Sequence, residues 1–150
     1  MAKYNVFDCT MVELDKHHSD RKGNLTVIEN GDSSTGSGQG TLPFDVKRVY
    51  YLYDVPGGES RGGHAYRETE EFVIALSGSF DVIVDEGKEK KTFHLNRSYY
   101  GLYIPKGMWR EMDNFSTNSL ALEFASTKYN PEDYIRDYNE FLKLKEDGKI

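Results

Sequence analysis

Cysteine is almost missing from this chain. Cys9 is the only one among 150 residues, so no intrachain disulfide can form. A reducing compartment suits that, and a cytoplasmic location is the expectation. The opening segment MAKYNVFDCT lacks the apolar stretch of a secretory signal. No apolar run approaches the ~20 residues that cross a bilayer. A basic excess is missing too. The net charge is -6 and the pI about 5.2, with no basic stripe, which argues against a nucleic-acid partner. An anionic small ligand stays open, because a site needs only a few local cations. Histidine is scarce, at four.

Tyrosine, by contrast, is abundant. There are 11, and aromatics make up 13% of the chain, which suits β-structure with a tyrosine-lined interior. The length predicts a single domain over 1–150, large enough to bury roughly 70% of the surface the unfolded chain exposes. YNVFDCTMVEL reads as an early strand, HHSDRKGN as a polar turn and LTVIE as a short strand. Residues 31–41 are Gly/Ser-rich and predict a surface loop. FDVKRVYYLYDV is the longest β-like run. From HAY to SLALEFAST, short β-like runs alternate with Gly, Asn and Asp turns, the spacing of a sandwich or barrel. DEGKEKK reads as a charged hairpin tip. The C-terminal segment differs. Asn130 as N-cap, Pro131 at the first helical position and Tyr134, Ile135, Tyr138, Phe141 and Leu142 at helical spacing predict an amphipathic helix over about 131–145, docked on the sheet.

Two strings carry chemistry. The first is His64-x-Tyr66, four residues, Glu71, six residues, Gly78. The second is Pro105-x-Gly107, two residues, Arg110, three residues, Asn114. Together they resemble the paired motifs of the cupin superfamily. That resemblance implies an all-β double-stranded β-helix, or jelly roll, with a C-terminal α-helix. Cupins that hold a metal use three His and one Glu. Here Tyr66 and Arg110 stand at two of those positions. A phenol stays protonated near neutrality, and Arg110 would put a permanent positive charge where the cation sits. No metal and no other cofactor is expected.

A closer resemblance covers about Leu25 to Leu142. FDVKRVYYLYD, RGGHA, GLYIPKGMWREM, LEFAS and YNPEDYIRDYNEF are similar to the sugar 3,4-ketoisomerases. These are metal-free cupins acting on dTDP-4-keto-6-deoxyglucose, upstream of 3-amino-3,6-dideoxysugars. That family has a second histidine where this chain has Tyr66. The resemblance implies a homodimer, with N-terminal strands exchanged as one form of it.

Moving a ketone from C4 to C3 needs a base near neutral pKa, proton donors at the oxygens and stabilisation of an enediolate. His64 is the candidate base. His64 and Tyr66 share one face of a strand. Tyr66 is an acid/base partner, a ring shaping the sugar pocket, or simple packing. Tyr51, the second Tyr of KRVYY, matches a family active-site tyrosine. It is a donor to the sugar carbonyl or core filling. Arg110 binds substrate or pairs with Glu71. Lys22, Arg48 and Arg61 are candidates for the diphosphate. Trp109 reads as packing rather than stacking on thymine. Two alternatives remain open: a catalytically silent cupin that binds a nucleotide sugar, and a dTDP-sugar 3,5-epimerase-like enzyme.

Overall fold

The structure, a computed structural model, describes residues 4–31 and 40–150. The Gly/Ser loop expected at 31–41 lies almost wholly outside the described residues. In chain order the strands are β1 (Thr10–Glu13), β2 (His17–Ser19), β3 (Gly23–Leu25), β4 (Arg48–Tyr53), β5 (Arg61–Tyr66), β6 (Glu71–Ser77), β7 (Phe80–Asp85), β8 (Lys90–Leu95), β9 (Tyr100–Ile104), β10 (Trp109–Asp113), β11 (Leu120–Ala125) and β12 (Tyr134–Ile135). One α-helix, α1 (Tyr138–Glu146), follows.

From β4 onward the chain passes back and forth between two five-stranded sheets, ordered β1-β9-β6-β11-β4 and β12-β5-β10-β7-β8. All their pairings are antiparallel. This is the jelly-roll path. The core between the sheets takes Val73, Ala75, Leu102 and Ala121 from one and Phe80, Val82, Val84 and Met112 from the other. The opposite face of β6 is buried as well. Phe72 and Ile74 lie under Leu14 and Leu42, joined by Ile28, Phe44 and Val46. Coverage on both faces explains why EFVIA is a continuous apolar run rather than an alternating one. Across the second sheet, α1 seats Phe141 against Ala65, Trp109 and Ile135. Trp109 is therefore a packing residue, 5.2 Å from Tyr138 and 5.6 Å from Phe141 between ring centroids.

The local expectations fail in three places, the first being YNVFDCTMVEL, which forms a 3-10 turn over Val6–Asp8 before the strand β1. HHSDRKGN is a small hairpin, β2 paired with β3, and LTVIE is not a strand beyond Leu25. The Asn30 amide holds this segment instead, accepting from the Val46 amide at 2.8 Å and donating to its carbonyl at 3.3 Å. The C-terminal helix also starts later than 131. Asn130 caps only a 3-10 turn over Pro131–Asp133. The buried Asp133 carboxylate then accepts from the Glu68 amide at 2.7 Å and from the Thr69 hydroxyl. That anchor draws the chain alongside β5, where Tyr134 pairs with Tyr66 as part of β12. The helix begins only after Asp137, whose side chain caps the Glu140 amide at 2.9 Å. Among the described residues no helix is long and apolar enough to cross a membrane.

Candidate active site

Strand parity assembles the site. Side chains alternate between the two faces of a strand, so every second residue points into the roll. On β4 the inward residues are Arg48, Tyr50 and Leu52, set against Ala125, Glu123 and Ala121 of β11. On β5 they are Gly62, His64 and Tyr66, with His64 directly opposite Arg110 of β10. Tyr134 enters from β12. These strands border a cleft of about 490 Å³ whose lining includes His64, Tyr66, Tyr50, Arg110, Tyr134 and Arg136. That volume falls in the usual range for a small-molecule site.

The floor is an ion cluster. Arg110 is 2% exposed and grips Glu71 through Nε at 2.9 Å and Nη2 at 2.5 Å. Nη2 also reaches Glu123 Oε1 at 2.6 Å and lies 3.0 Å from the Tyr50 hydroxyl. Nη1 donates to the Gly62 carbonyl at 3.2 Å. Gly62 has φ +80, and a Cβ there would sit 2.1 Å from Nη1, so no larger residue fits beside this guanidinium. Above the cluster, the His64 ring meets Tyr66 edge-on at 4.8 Å and Tyr134 at 5.0 Å. The phenols are joined in series: Tyr66 donates to Tyr134 at 3.2 Å and lies 3.4 Å from Tyr50.

Burial is the first force on the titration of these groups. It drives the His64 pKa down to about 2, and the positive charges of Arg110, Arg136 and Arg48 add to it. The imidazole is therefore neutral near pH 7, and its buried Nε2 has no hydrogen-bond partner among the described residues. Burial and the Glu71 charge push the Tyr66 and Tyr50 hydroxyls up, against the pull of Arg110, so both phenols stay protonated.

Of the residues singled out in the sequence, His64, Tyr66, Glu71 and Arg110 come together here. Arg61 is exposed and lines the mouth of the same cleft. Tyr51 does not reach it. It is 58% exposed, and its partner Leu122 belongs to the opposite, outer face. The inward tyrosine of KRVYY is Tyr50. Lys22 is exposed in the β2–β3 turn and does not line the cleft. Arg48 is packed among the rings of Tyr50, Tyr66 and Tyr129, 5.7 to 6.0 Å from their centroids, with all three guanidinium nitrogens buried and without a hydrogen-bond partner among the described residues. Sequence reasoning missed Tyr50, Glu123, Tyr134 and Arg136. Glu123 carried a signal, as a lone acid within the apolar run LALEFA. Tyr134 and Arg136 fall within the helix that the sequence pattern predicts over about 131–145. Among the described residues no three His, Cys, Asp or Glu groups form a metal-holding set. Glu71, at a cupin ligand position, is engaged by Arg110 instead.

Fold and chain path define a cupin. The family model described as WxcM-like, C-terminal (FdtA) matches residues 7–146. The chain is 37% identical over 124 residues to the TDP-4-oxo-6-deoxy-alpha-D-glucose-3,4-oxoisomerase of Aneurinibacillus thermoaerophilus, covering 83% of this chain and 84% of that one. It is similar to the crystal structure of a 3,4-ketoisomerase from Helicobacter canadensis, with TM-score 0.84 and 39% identity over 93% of this chain and 98% of the other. It also resembles a sugar 3,4-ketoisomerase from Thermoanaerobacterium thermosaccharolyticum solved in complex with TDP, with TM-score 0.86 and 30% identity over 97% of this chain and all of that one. The chain belongs to the WxcM-like family of cupins.

Proposed function

We propose that this protein is a TDP-sugar 3,4-ketoisomerase that moves the ketone of TDP-4-keto-6-deoxyglucose from C4 to C3 by general acid/base catalysis. The observation that carries this reading is the placement of His64 on one strand face with Tyr66, over a cleft bordered by arginines, in a chain whose relatives are named 3,4-ketoisomerases.

His64 takes the C3 proton. The electron pair left behind forms the C3–C4 double bond as O4 gains a proton, which gives an enediol. The O3 proton then leaves and a proton returns to C4, so the cycle neither gains nor loses a proton. The phenols of Tyr66, Tyr50 and Tyr134 are the hydroxyls that exchange protons with the sugar oxygens. Arg48, beside the rings of Tyr50 and Tyr66, supplies the fixed positive charge for the enediolate, since Arg110 is already engaged by Glu71 and Glu123. Arg61 and Arg136, at the mouth, are placed for the diphosphate. Its negative charge counters the part of the His64 depression that comes from the arginines. This chemistry needs no metal, and turnover is expected to survive treatment with EDTA.

The product is a 3-keto sugar, so the pathway assignment is deoxyaminosugar and cell-surface polysaccharide biosynthesis in the cytoplasm. The assembly assignment is a homodimer, with exchange of N-terminal strands as one form of it. It is supported by Val49, Tyr51 and Tyr53, more than half exposed in a row on the edge strand β4. A sedimentation mass near 17.2 kDa rather than twice that would contradict it.

The 3,5-epimerase alternative has less support, because the relatives above 30% identity are named ketoisomerases. The silent binding protein is separated from the enzyme by two measurements on one sample. Calorimetry reads binding of TDP-4-keto-6-deoxyglucose, and proton NMR reads its conversion. Binding with conversion to the 3-keto isomer is expected. Binding without conversion would favour the silent protein.

A further inference from the structure

Two carboxylates share one arginine nitrogen at the floor of the cleft. Arg110 Nη2 has two hydrogens, and Glu71 Oε2 at 2.5 Å and Glu123 Oε1 at 2.6 Å occupy both. The Tyr50 hydroxyl, 3.0 Å from the same nitrogen, is left to donate to Glu71 Oε2 at 3.3 Å. Glu123 is completely buried, lines the cleft, and its Oε2 has no hydrogen-bond partner among the described residues. A bare carboxylate oxygen without a donor is costly to bury, whereas an O–H there carries no charge. One guanidinium facing two buried carboxylates cannot neutralise both.

We infer that Glu71 and Glu123 hold one proton between them, carried on Glu123, and that Tyr50 and Tyr66 connect this pair to the sugar oxygens. This rests on the ketoisomerase reading for its use, though not for its existence. In the cycle Tyr66 gives its proton to the forming O4 hydroxyl, Tyr50 replenishes Tyr66, Glu71 Oε2 replenishes Tyr50, and Glu123 passes its proton to Glu71. The same chain runs backwards when the O3 proton leaves. The pair ends as it began, so no outside donor is consumed.

The groups facing the pair come from every strand around it. They are Arg48 and Tyr50 on β4, His64 and Tyr66 on β5, Arg110 on β10, and Tyr134 and Arg136 at β12. The arginines oppose protonation. Burial and the Glu71 charge favour it, and they win: the Glu123 carboxyl is pushed up to about 8.

Infrared difference spectroscopy of the wild-type protein reads the proton directly. A protonated-carboxyl carbonyl stretch is expected at neutral pH, fading as pH rises through about 8. It should be absent in Glu123→Gln, which keeps an acceptor for Arg110 but holds no acidic proton. That variant should lose turnover by about 10²-fold, the low end for a group in proton transfer, with KM nearly unchanged. No such band in the wild type overturns the inference without any need for the variant to fold. A band that persists in Glu123→Gln also overturns it. A band that behaves as expected in a protein without isomerase turnover would overturn the ketoisomerase reading and leave the shared proton standing.

Discussion

Tyr66 stands where the resemblance to the ketoisomerases implies a second histidine. Its hydroxyl lies between Tyr134 and Tyr50, and its ring stands against His64. Tyr66→Phe keeps the ring and removes one O–H. Stability should fall by only about 1 kcal/mol, the worth of an ordinary hydrogen bond. Turnover should fall by about 10²-fold if the phenol moves protons. A Phe variant with near wild-type turnover would reduce Tyr66 to a shaping ring. The pairing of His64 with Tyr66 was legible in the sequence, because period-two spacing puts both on one face. The spacing to Glu71 and Arg110 was legible through the two motif strings. Glu123 was not, because its significance lies in sharing Arg110 with Glu71, a contact across strands that no local pattern encodes.

At the scale of the element, β4 shows what a one-residue error in parity does. KRVYYLYD has bulky side chains on both faces, so the sequence pattern does not say which tyrosine turns inward. Pairing with β11 decides it, placing Tyr50 opposite the buried Glu123 and Tyr51 opposite Leu122. Tyr50→Phe is expected to cut turnover at least tenfold and to cost about 1–3 kcal/mol, since it breaks up buried polar contacts. Tyr51→Phe should stay within about 0.5 kcal/mol of the wild type, with little change in turnover. Parallel kinetics and denaturant melts of the two variants check this, and the reverse order would overturn the placement of the site. β12 is the companion case. Tyr134 and Ile135 fit a helical stripe, but two residues of strand satisfy the same pattern: Tyr134 faces the cleft and Ile135 lies under α1. The anchoring of Asp133 to the β5–β6 turn, a tertiary contact, overrides the local helix signals.

For the whole molecule, the jelly roll was legible from strand spacing and the motif strings, and α1 from its apolar stripe. The charge balance inside the roll was not, and it makes a measurable claim about stability. His64 refuses a proton that the unfolded chain accepts below about 6.5, so its contribution is lost as pH falls toward about 2. Glu123 keeps a proton that the unfolded chain releases above about 4.5, so its contribution is lost as pH rises toward about 8. Between 4.5 and 6.5 the two oppose each other. Each has a slope of at most about 1.4 kcal/mol per pH unit. Denaturant melts across pH should lose the acid-side slope in His64→Asn and the alkaline-side slope in Glu123→Gln. Unchanged slopes in both would contradict the assigned protonation states. The central claim is that His64 is the base that moves the ketone. Its most direct test is the proton NMR time course of TDP-4-keto-6-deoxyglucose with the wild type beside His64→Asn. The account predicts conversion to the 3-keto sugar by the wild type and a rate about 10²–10⁴-fold lower in a folded His64→Asn. Equal rates would contradict it.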